Sequence, residues 1–457
     1  VPSCTYTIRD LIPKYIKDYD LEVKHFSEVV LECIKSRELQ FPREVRVTYH
    51  DPCQLARYLS IIDEPRQILR AIKGIELIET EWTNQEWATC CGGGGGFTEY
   101  KKEIMDAAHN EKIRIALSRA IKSYRANTND ALKKFPQTIK MAEEVKGIKE
   151  KAISEMEKLV QQACESITEN KGNAYIAKTA EDALNIIGNL VGRDKLIVKG
   201  KSMTGEEIGL REHLEEMGNE VYETDLGEFI IQKLNSRPMH ILAPAIHIPK
   251  EDTAQLFSKI VGQELQSDEI ASLVATARKL LREKYFQADI GISGANVVSA
   301  DTGTLFLIEN EGNIRLATGA PPVHIALVGM EKLVPTFGDA CKVAEVTWRY
   351  ANYDVPAYVS LVSGPSKTGD IEKTTTYGAH GPTEFHVIFL DAGRTELAKH
   401  PILRQALYCL RCGGCLYECP VFAVTAGYFG DKYFAGIGTV WAAMMGDNKE
   451  KAAALAY

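Results

Sequence analysis

The stretch Leu196–Asp225, LIVKGKSMTGEEIGLREHLEEMGNEVYETD, decides the fold class. It opens on the short apolar run Leu196–Val198 and turns through Lys199-Gly200-Lys201-Ser202. Thr204-Gly-Glu-Glu207 has the pattern of a capping box, and Gly218 suits a helix end. A second apolar run follows at Val221–Thr224. The same grammar surrounds it: Tyr175–Ala177 before a capping box at Thr179-Ala-Glu-Asp182, and Ile241–Ala243 after. Short buried strands alternating with capped helices predict an open, mostly parallel α/β sheet. Thr304–Ile308, Ile325–Val328 and Val387–Leu390 are expected to extend or cap it.

Outward from this core the chain reads as a multidomain protein, and its 457 residues suffice for several hydrophobic cores. Residues 1–110 hold a strand at Val45–Tyr49, a turn at His50-Asp51-Pro52-Cys53 and a helical pattern through Ile68-Leu69-Ile72. They end on Cys90-Cys91 followed by five glycines, a run that cannot sustain a helix or strand interior. Residues 111–166 form a charged helical connector, with Ile148, Ala152, Met156, Leu159, Val160 and Ala163 at helical spacing. Residues 167–395 carry the sheet, and 396–457 a cysteine-rich helical tail.

That tail contains Cys409-Leu-Arg-Cys412-Gly-Gly-Cys415-Leu-Tyr-Glu-Cys419-Pro420. C-x-x-C-x-x-C-x-x-x-C-P is the bacterial ferredoxin spacing for a 4Fe–4S cluster, whose fourth cysteine commonly serves a second cluster. Zinc also takes four cysteines, but usually as two separated pairs. The run therefore assigns electron transfer, with Cys409, Cys412, Cys415 and Cys419 as iron ligands. Cys53, Cys90 and Cys91 form a second metal-related constellation, whereas Cys33, Cys164 and Cys341 sit singly in apolar patterns that suggest buried thiols.

Composition narrows the class. A formal charge of -8 offers no basic surface to nucleic acid. The 11 cysteines are clustered, which points to metal ligation in a reducing, cytoplasmic setting. No apolar stretch is long enough to span a bilayer, and Ile437–Met445 is expected to pack on a neighbour. There is no signal-peptide pattern, and both ends, Val1 and Tyr457, are expected to be cut from something longer.

Ligands of open α/β sheets bind at the carboxyl ends of the strands. Lys201 and Ser202, Asp225 and Glu228, His247, and the group Glu309, Asn310, Asn313 and Arg315 all follow expected strands. Lys201 or Arg315 would hold a carboxylate, and His247 or Glu309 would take a proton. Each also has a structural reading: Lys201 as a turn residue, Asp225 as a helix cap, Asp301-Thr302-Gly303 as a hairpin turn.

From about Ile113 to Tyr457 the chain resembles the iron–sulfur subunit of the three-component lactate-utilisation system. The resemblance is carried by Lys201-Ser-Met, Glu223-Thr-Asp-Leu-Gly-Glu228, Ala288-Asp-Ile-Gly-Ile-Ser-Gly294 and Ala300-Asp-Thr-Gly303. It continues through Asn310-Glu-Gly-Asn313, Gly381-Pro-Thr-Glu-Phe-His386 and the cysteine run. It implies a lactate-utilisation (LUD) domain with a fold like that of sugar-phosphate isomerases and CoA transferases, followed by a ferredoxin-like tail. The first 110 residues resemble a partial cysteine-rich CCG domain, as in heterodisulfide reductase and glycolate oxidase iron–sulfur subunits. Cys4 would then join Cys53, Cys90 and Cys91 around an additional cluster. In that resemblance Val1-Pro-Ser-Cys4 is like the end of one repeat and Cys53 with Cys90-Cys91-Gly92 like the start of the next, which lacks its closing C-x-x-C. The family also has a second cysteine run, from which the fourth ligand of the first cluster would come.

The resemblance implies a subunit of an oxidoreductase complex, of lactate dehydrogenase type but not NAD-dependent, that oxidises a small 2-hydroxy acid to pyruvate. No flavin or nicotinamide fingerprint is present, so other subunits, flavin- or iron–sulfur-containing, are expected as partners. A heterodisulfide-reductase-like thiol–disulfide module and a metabolite-binding regulator with structural clusters are the two alternatives.

Overall fold

The computed structural model describes residues 9, 23–34, 39–49, 51, 55–56, 59–79 and 101–445. Cys4, Cys53, Cys90, Cys91 and the five-glycine run lie outside the described residues. Those that are described fall into two compact units: the ones before residue 99 together with 419–421, and the remainder of 101–445.

In the first unit, β1 (Leu39–Val47) pairs in parallel with β2 (Ile72–Leu77). The helix between them, Asp63–Arg70, stops short of Ile72, which opens β2 instead of continuing the helical pattern. Arg66 of that helix is fully buried and grips Asp51 with both terminal nitrogens at 2.6 Å, while its Nε meets Glu79 at 2.8 Å. A planar guanidinium matches two carboxylates in this way without leaving a donor unpaired.

The second unit is built on six parallel strands: β3 (Asn173–Ala177), β4 (Leu196–Lys199), β5 (Glu220–Glu223), β6 (Ile290–Ser293), β9 (Val323–Gly329) and β14 (Glu384–Leu390). Their order is β3-β14-β9-β6-β4-β5. This is the mostly parallel α/β sheet expected from the strand–helix grammar. A second sheet, of order β10-β7-β8-β11, joins β7 (Val297–Ser299), β8 (Thr304–Glu309), β10 (Leu333–Val334) and β11 (Tyr358–Val362). Strands β12 (Lys367–Thr368) and β13 (Thr376–Tyr377) form a separate ribbon.

Both faces of the parallel sheet are buried, as helical crossovers require. Along β14, Phe385, Val387 and Phe389 enter one core with Leu159, Ala163 and Ile167 of the helix Met156–Glu169. The alternate residues, Ile388 and Leu390, enter another with Ala183, Ile187 and Val191 of the helix Ala180–Val191. The period of two along a strand sends neighbours to opposite faces.

Several local expectations change. The connector is three helices, Glu111–Lys134, Gln137–Ser154 and Met156–Glu169, and its apolar stripe is broken at Glu155. Thr304–Ile308 does not extend the parallel sheet; it turns back antiparallel to β7 through Asp301-Thr302-Gly303. The Thr179–Asp182 capping box forms, but the helix after β4 is capped by Ser202, not Thr204. Ile241–Ala243 is no strand, because His240 Nδ1 accepts the N–H groups of Leu242 and Ala243 at 3.0 Å each and folds the segment into a turn. Cys33 and Cys341 are exposed and Cys164 half-buried. Cys341 follows the buried Ala340 but points off the stripe that Ala340, Val343 and Ala344 bury. Among the described residues no helix is long and apolar enough to cross a membrane.

Gly291 in β6 lies against the backbone of the helix Asn313–Gly319: a Cβ there would stand 1.7 Å from the Ala317 carbonyl oxygen. Gly291→Ala is expected to destabilise the protein by at least about 1–3 kcal/mol in urea unfolding. Gly319→Ala, with open space around it, should stay within about 0.5 kcal/mol of the parent.

Candidate functional site

A cavity of ≈ 250 Å³ opens beyond the carboxyl ends of β4, β5 and β6 and the end of β8. It is lined by Lys201, Ser202, Asp225, Glu309, Asn310 and Asn313, six of the residues expected from the sequence. His247 and Arg315 are not on it. His247 is half-buried in a turn, where burial lowers its pKa to about 4. Arg315 lies over the Tyr358 ring at 4.7 Å.

Most of the lining polar groups also shape the loops. Ser202 caps the helix Met203–Glu207 by accepting Gly205 N–H, and Asp225 caps Leu226–Leu234 by accepting Glu228 N–H at 3.0 Å. Gly294 permits the approach of Ser202, whose Oγ would be 2.6 Å from a Cβ there. Glu309 accepts the N–H groups of Ile314 and Arg315 at 2.7 and 2.8 Å. Burial still raises its pKa above the ordinary glutamate value, against those hydrogen bonds. Asn310 accepts Ala357 N–H at 2.8 Å, and Asn313 donates to Thr224 Oγ1 at 3.3 Å. The helix-cap reading of Asp225 and the site reading thus hold together.

Lys201 is different. Its Nζ lies 3.4 Å from Glu228 Oε1, an ion pair without hydrogen-bond geometry, and it is buried with no hydrogen-bond partner. Trp348 Nε1 and Arg411 Nε are likewise buried without partners, and both residues line the same cavity. Three orphaned donors around one hollow call for a ligand rich in acceptors. Beneath them Lys199 is fully buried, 2.8 Å from Glu223 and 3.1 Å from Glu206. Burial opposes its charge, but those two carboxylates outweigh burial and raise its pKa.

The cavity also touches Lys332, Arg411 and Cys412, which brings the cysteine run to its wall. Glu331, wholly buried just after β9, accepts Arg411 Nη2 at 3.1 Å and also pairs with Arg394. Burial opposes its charge, but the two guanidinium groups pull its pKa down to about 2. Arg394 in turn holds Glu207 at 2.7 and 3.0 Å. Lys149 donates to the Glu331 carbonyl. Burial lowers the pKa of Lys149 to about 8 and that of Lys332 to about 7, Arg411 adding to the latter.

The cysteine loop is tightly seated. Arg411 and Gly413 have φ of 63° and 77°, and a Cβ at Gly414 would stand 3.1 Å from the Tyr350 carbonyl oxygen. Cys409, Cys412 and Cys419 are half-buried and Cys415 exposed. Among the described residues no three His, Cys, Asp or Glu side chains converge on one metal position. The donor chemistry nevertheless fits an iron–sulfur centre: soft sulfur ligands on one loop, with the buried Arg411 guanidinium placed to offset negative charge. Of the residues added by the structure, Arg411 is legible as the charged residue inside C-x-x-C. Lys332, Trp348 and Glu331 carry no local signal.

The LUD domain profile matches residues 160–390, and that of a cysteine-rich (CCG) domain matches residues 47–123. Lactate utilization protein B of Bacillus licheniformis is 35% identical over 356 residues, covering 77% of this chain and 72% of its own length. The Bacillus subtilis protein of the same name is 34% identical over 359 residues, covering 77% and 72%. An Escherichia coli K12 protein named uncharacterized electron transport protein YkgF is 31% identical over 357 residues, covering 77% and 73%.

Glu228 makes the cavity pH-sensitive. Burial raises its pKa, Lys201 opposes that, and Glu206 and Asp225 add to it. It therefore protonates at higher pH than an ordinary glutamate and then releases Lys201 to an external anion. Calorimetry should show affinity for a small carboxylate rising as pH falls from 8 toward 5. Glu228→Gln should reduce that dependence and bind about threefold or more tightly at pH 8, the remainder belonging to Glu311 on the cavity wall, whose pKa burial raises to about 7. Affinity that is flat with pH in the parent would contradict the assignment.

Proposed function

The chain belongs to the LUD-domain family of lactate utilization protein B, and from that premise we propose that it is the iron–sulfur electron-transfer subunit of a lactate-oxidising system. The observation that carries the reading is one cavity lined both by the Lys201–Glu309–Asn310 group and by Arg411 and Cys412 of the cysteine loop. An anion site and a one-electron site that share a wall suit a protein that receives electrons from a bound 2-hydroxy acid.

The lactate carboxylate binds the Lys201 ammonium, with the unpartnered Trp348 Nε1–H as a second donor. Glu309, whose proton affinity burial raises, takes the hydroxyl proton. Ile241, Leu242 and Leu307 exclude water around the substrate carbon. Oxidation to pyruvate releases two electrons and two protons; Glu309 holds the hydroxyl proton, and an organic redox cofactor on a partner subunit would supply the acceptor for the electron pair and the carbon-bound proton. Cys409, Cys412, Cys415 and Cys419 are the residues that would hold iron–sulfur centres, which supply one-electron transfer when bound. The protein works in the cytoplasm with those partner subunits.

The test is anaerobic reduction of the assembled system. With all partners present, lactate should elicit the same reduced EPR signal as dithionite. Lys201→Met should slow the lactate-driven signal by about tenfold or more while dithionite still reduces fully. Cys412→Ser should lose the signal with either reductant. A system that stays oxidised in lactate with every partner present would refute the reading.

A further inference from the structure

His240 is wholly buried, and Nδ1 accepts two backbone N–H groups, from Leu242 and Ala243. A ring nitrogen that accepts must carry its lone pair, so the proton of the neutral imidazole is on Nε2. Burial, with the Lys201 charge nearby, keeps the ring neutral. Yet Nε2 has no hydrogen-bond partner. A fully buried N–H left unanswered is rare enough to require an explanation.

The surroundings set the ring beside the cysteine run, with its edge also meeting the Phe422 ring at 5.8 Å. The imidazole stacks on Tyr417 at 4.8 Å, and Tyr417 stacks on Tyr124 at 4.3 Å. Tyr417 belongs to the cysteine run. A Cβ at Gly413 would stand 3.2 Å from His240 Cε1, the carbon between the two ring nitrogens. The ring edge is therefore pressed on the loop that carries Cys409, Cys412 and Cys415. The neighbours Ile241 and Leu242 line the cavity but His240 does not, which argues against a cavity ligand as the acceptor.

We propose that His240 Nε2–H donates a hydrogen bond to a sulfur of the iron–sulfur centre held by the Cys409–Cys415 loop and favours its reduced form. The proposal rests on the iron–sulfur reading of that loop. Reduction places more negative charge on the sulfurs, and a hydrogen bond to a charged acceptor strengthens with that charge. His240 is thus a tuning residue, not an iron ligand or a proton carrier.

The experiment uses the full chain, reconstituted anaerobically and labelled with ¹⁵N-histidine, and reads pulsed EPR after one-electron reduction by dithionite. A weak coupling to histidine nitrogen is expected. His240→Phe keeps the ring stack and removes the donor, so it should lose the coupling and lower the equilibrium constant for reduction by about tenfold. His240→Gln, with an amide N–H near the same place, should stay near the parent value. No coupling in the parent overturns the proposal, as does the strong coupling of a directly bound nitrogen. An unchanged potential in His240→Phe also overturns it. Should that variant fail to take up iron, the coupling in the parent decides alone. A parent chain that assembles no centre overturns the iron–sulfur reading and this proposal with it. A centre that forms without histidine coupling overturns this proposal only.

Discussion

The buried carboxylate of Glu331 is the constraint on which much of the larger unit depends. It leaves the end of β9 and is shared by Arg394, at the start of the helix after β14, and by Arg411, inside the cysteine loop. Through Arg394 it reaches Glu207 in the helix after β4, and its carbonyl holds Lys149 of the helix Gln137–Ser154. One residue thereby ties two strand ends, a flanking helix and the cysteine loop into a single charged knot. Removing one partner from such a buried pair typically costs about 3–5 kcal/mol, mostly because the other charge is left unpaired. Gly329 is part of the arrangement, since a Cβ there would overlap the Glu331 carboxylate.

The knot also arranges charge around the site. Arg394 and Arg411 share the Glu331 carboxylate, Arg394 also holds Glu207, and Lys149 meets the Glu331 carbonyl, so basic groups gather beside Arg411 of the cysteine loop. On the other part of the cavity the balance is acidic: Asp225, Glu309 and Glu311 line it, and Glu228 pairs with Lys201. Aromatic packing reinforces the knot: Trp441 lies under Arg411 at 4.0 Å, and Tyr433, 4.6 Å from Arg411, donates to Glu207.

Local grammar sometimes yields to a side chain that satisfies the backbone in another way. The apolar run Ile241–Ala243 has strand composition, but the imidazole before it captures two of its N–H groups and leaves them unavailable to a ladder. The Thr204 box yields to Ser202, two residues earlier, because Ser202 already accepts the N–H three positions on. Glu155 divides a continuous apolar stripe, and Met156, Leu159 and Ala163 continue it into the main core. In the last two cases the period is right and the boundary moves; in the first the expected strand is lost altogether.

The sequence by itself determined the parallel α/β class, because strand–helix alternation and capping chemistry are local and repeat along the chain. It also determined the cysteine run and six of the cavity residues, since loops after parallel strands converge on one edge whatever the side chains. Tertiary structure alone decided that His247 and Arg315 stay off that cavity, that β8 turns into a second sheet, and that the cysteine loop closes against the cavity. It alone supplied Lys332, Trp348 and Glu331, whose charge or orphaned donor acquires meaning only when distant segments remove it from water. Burial and pairing across 63 to 187 residues are properties of the fold, and no local pattern encodes them.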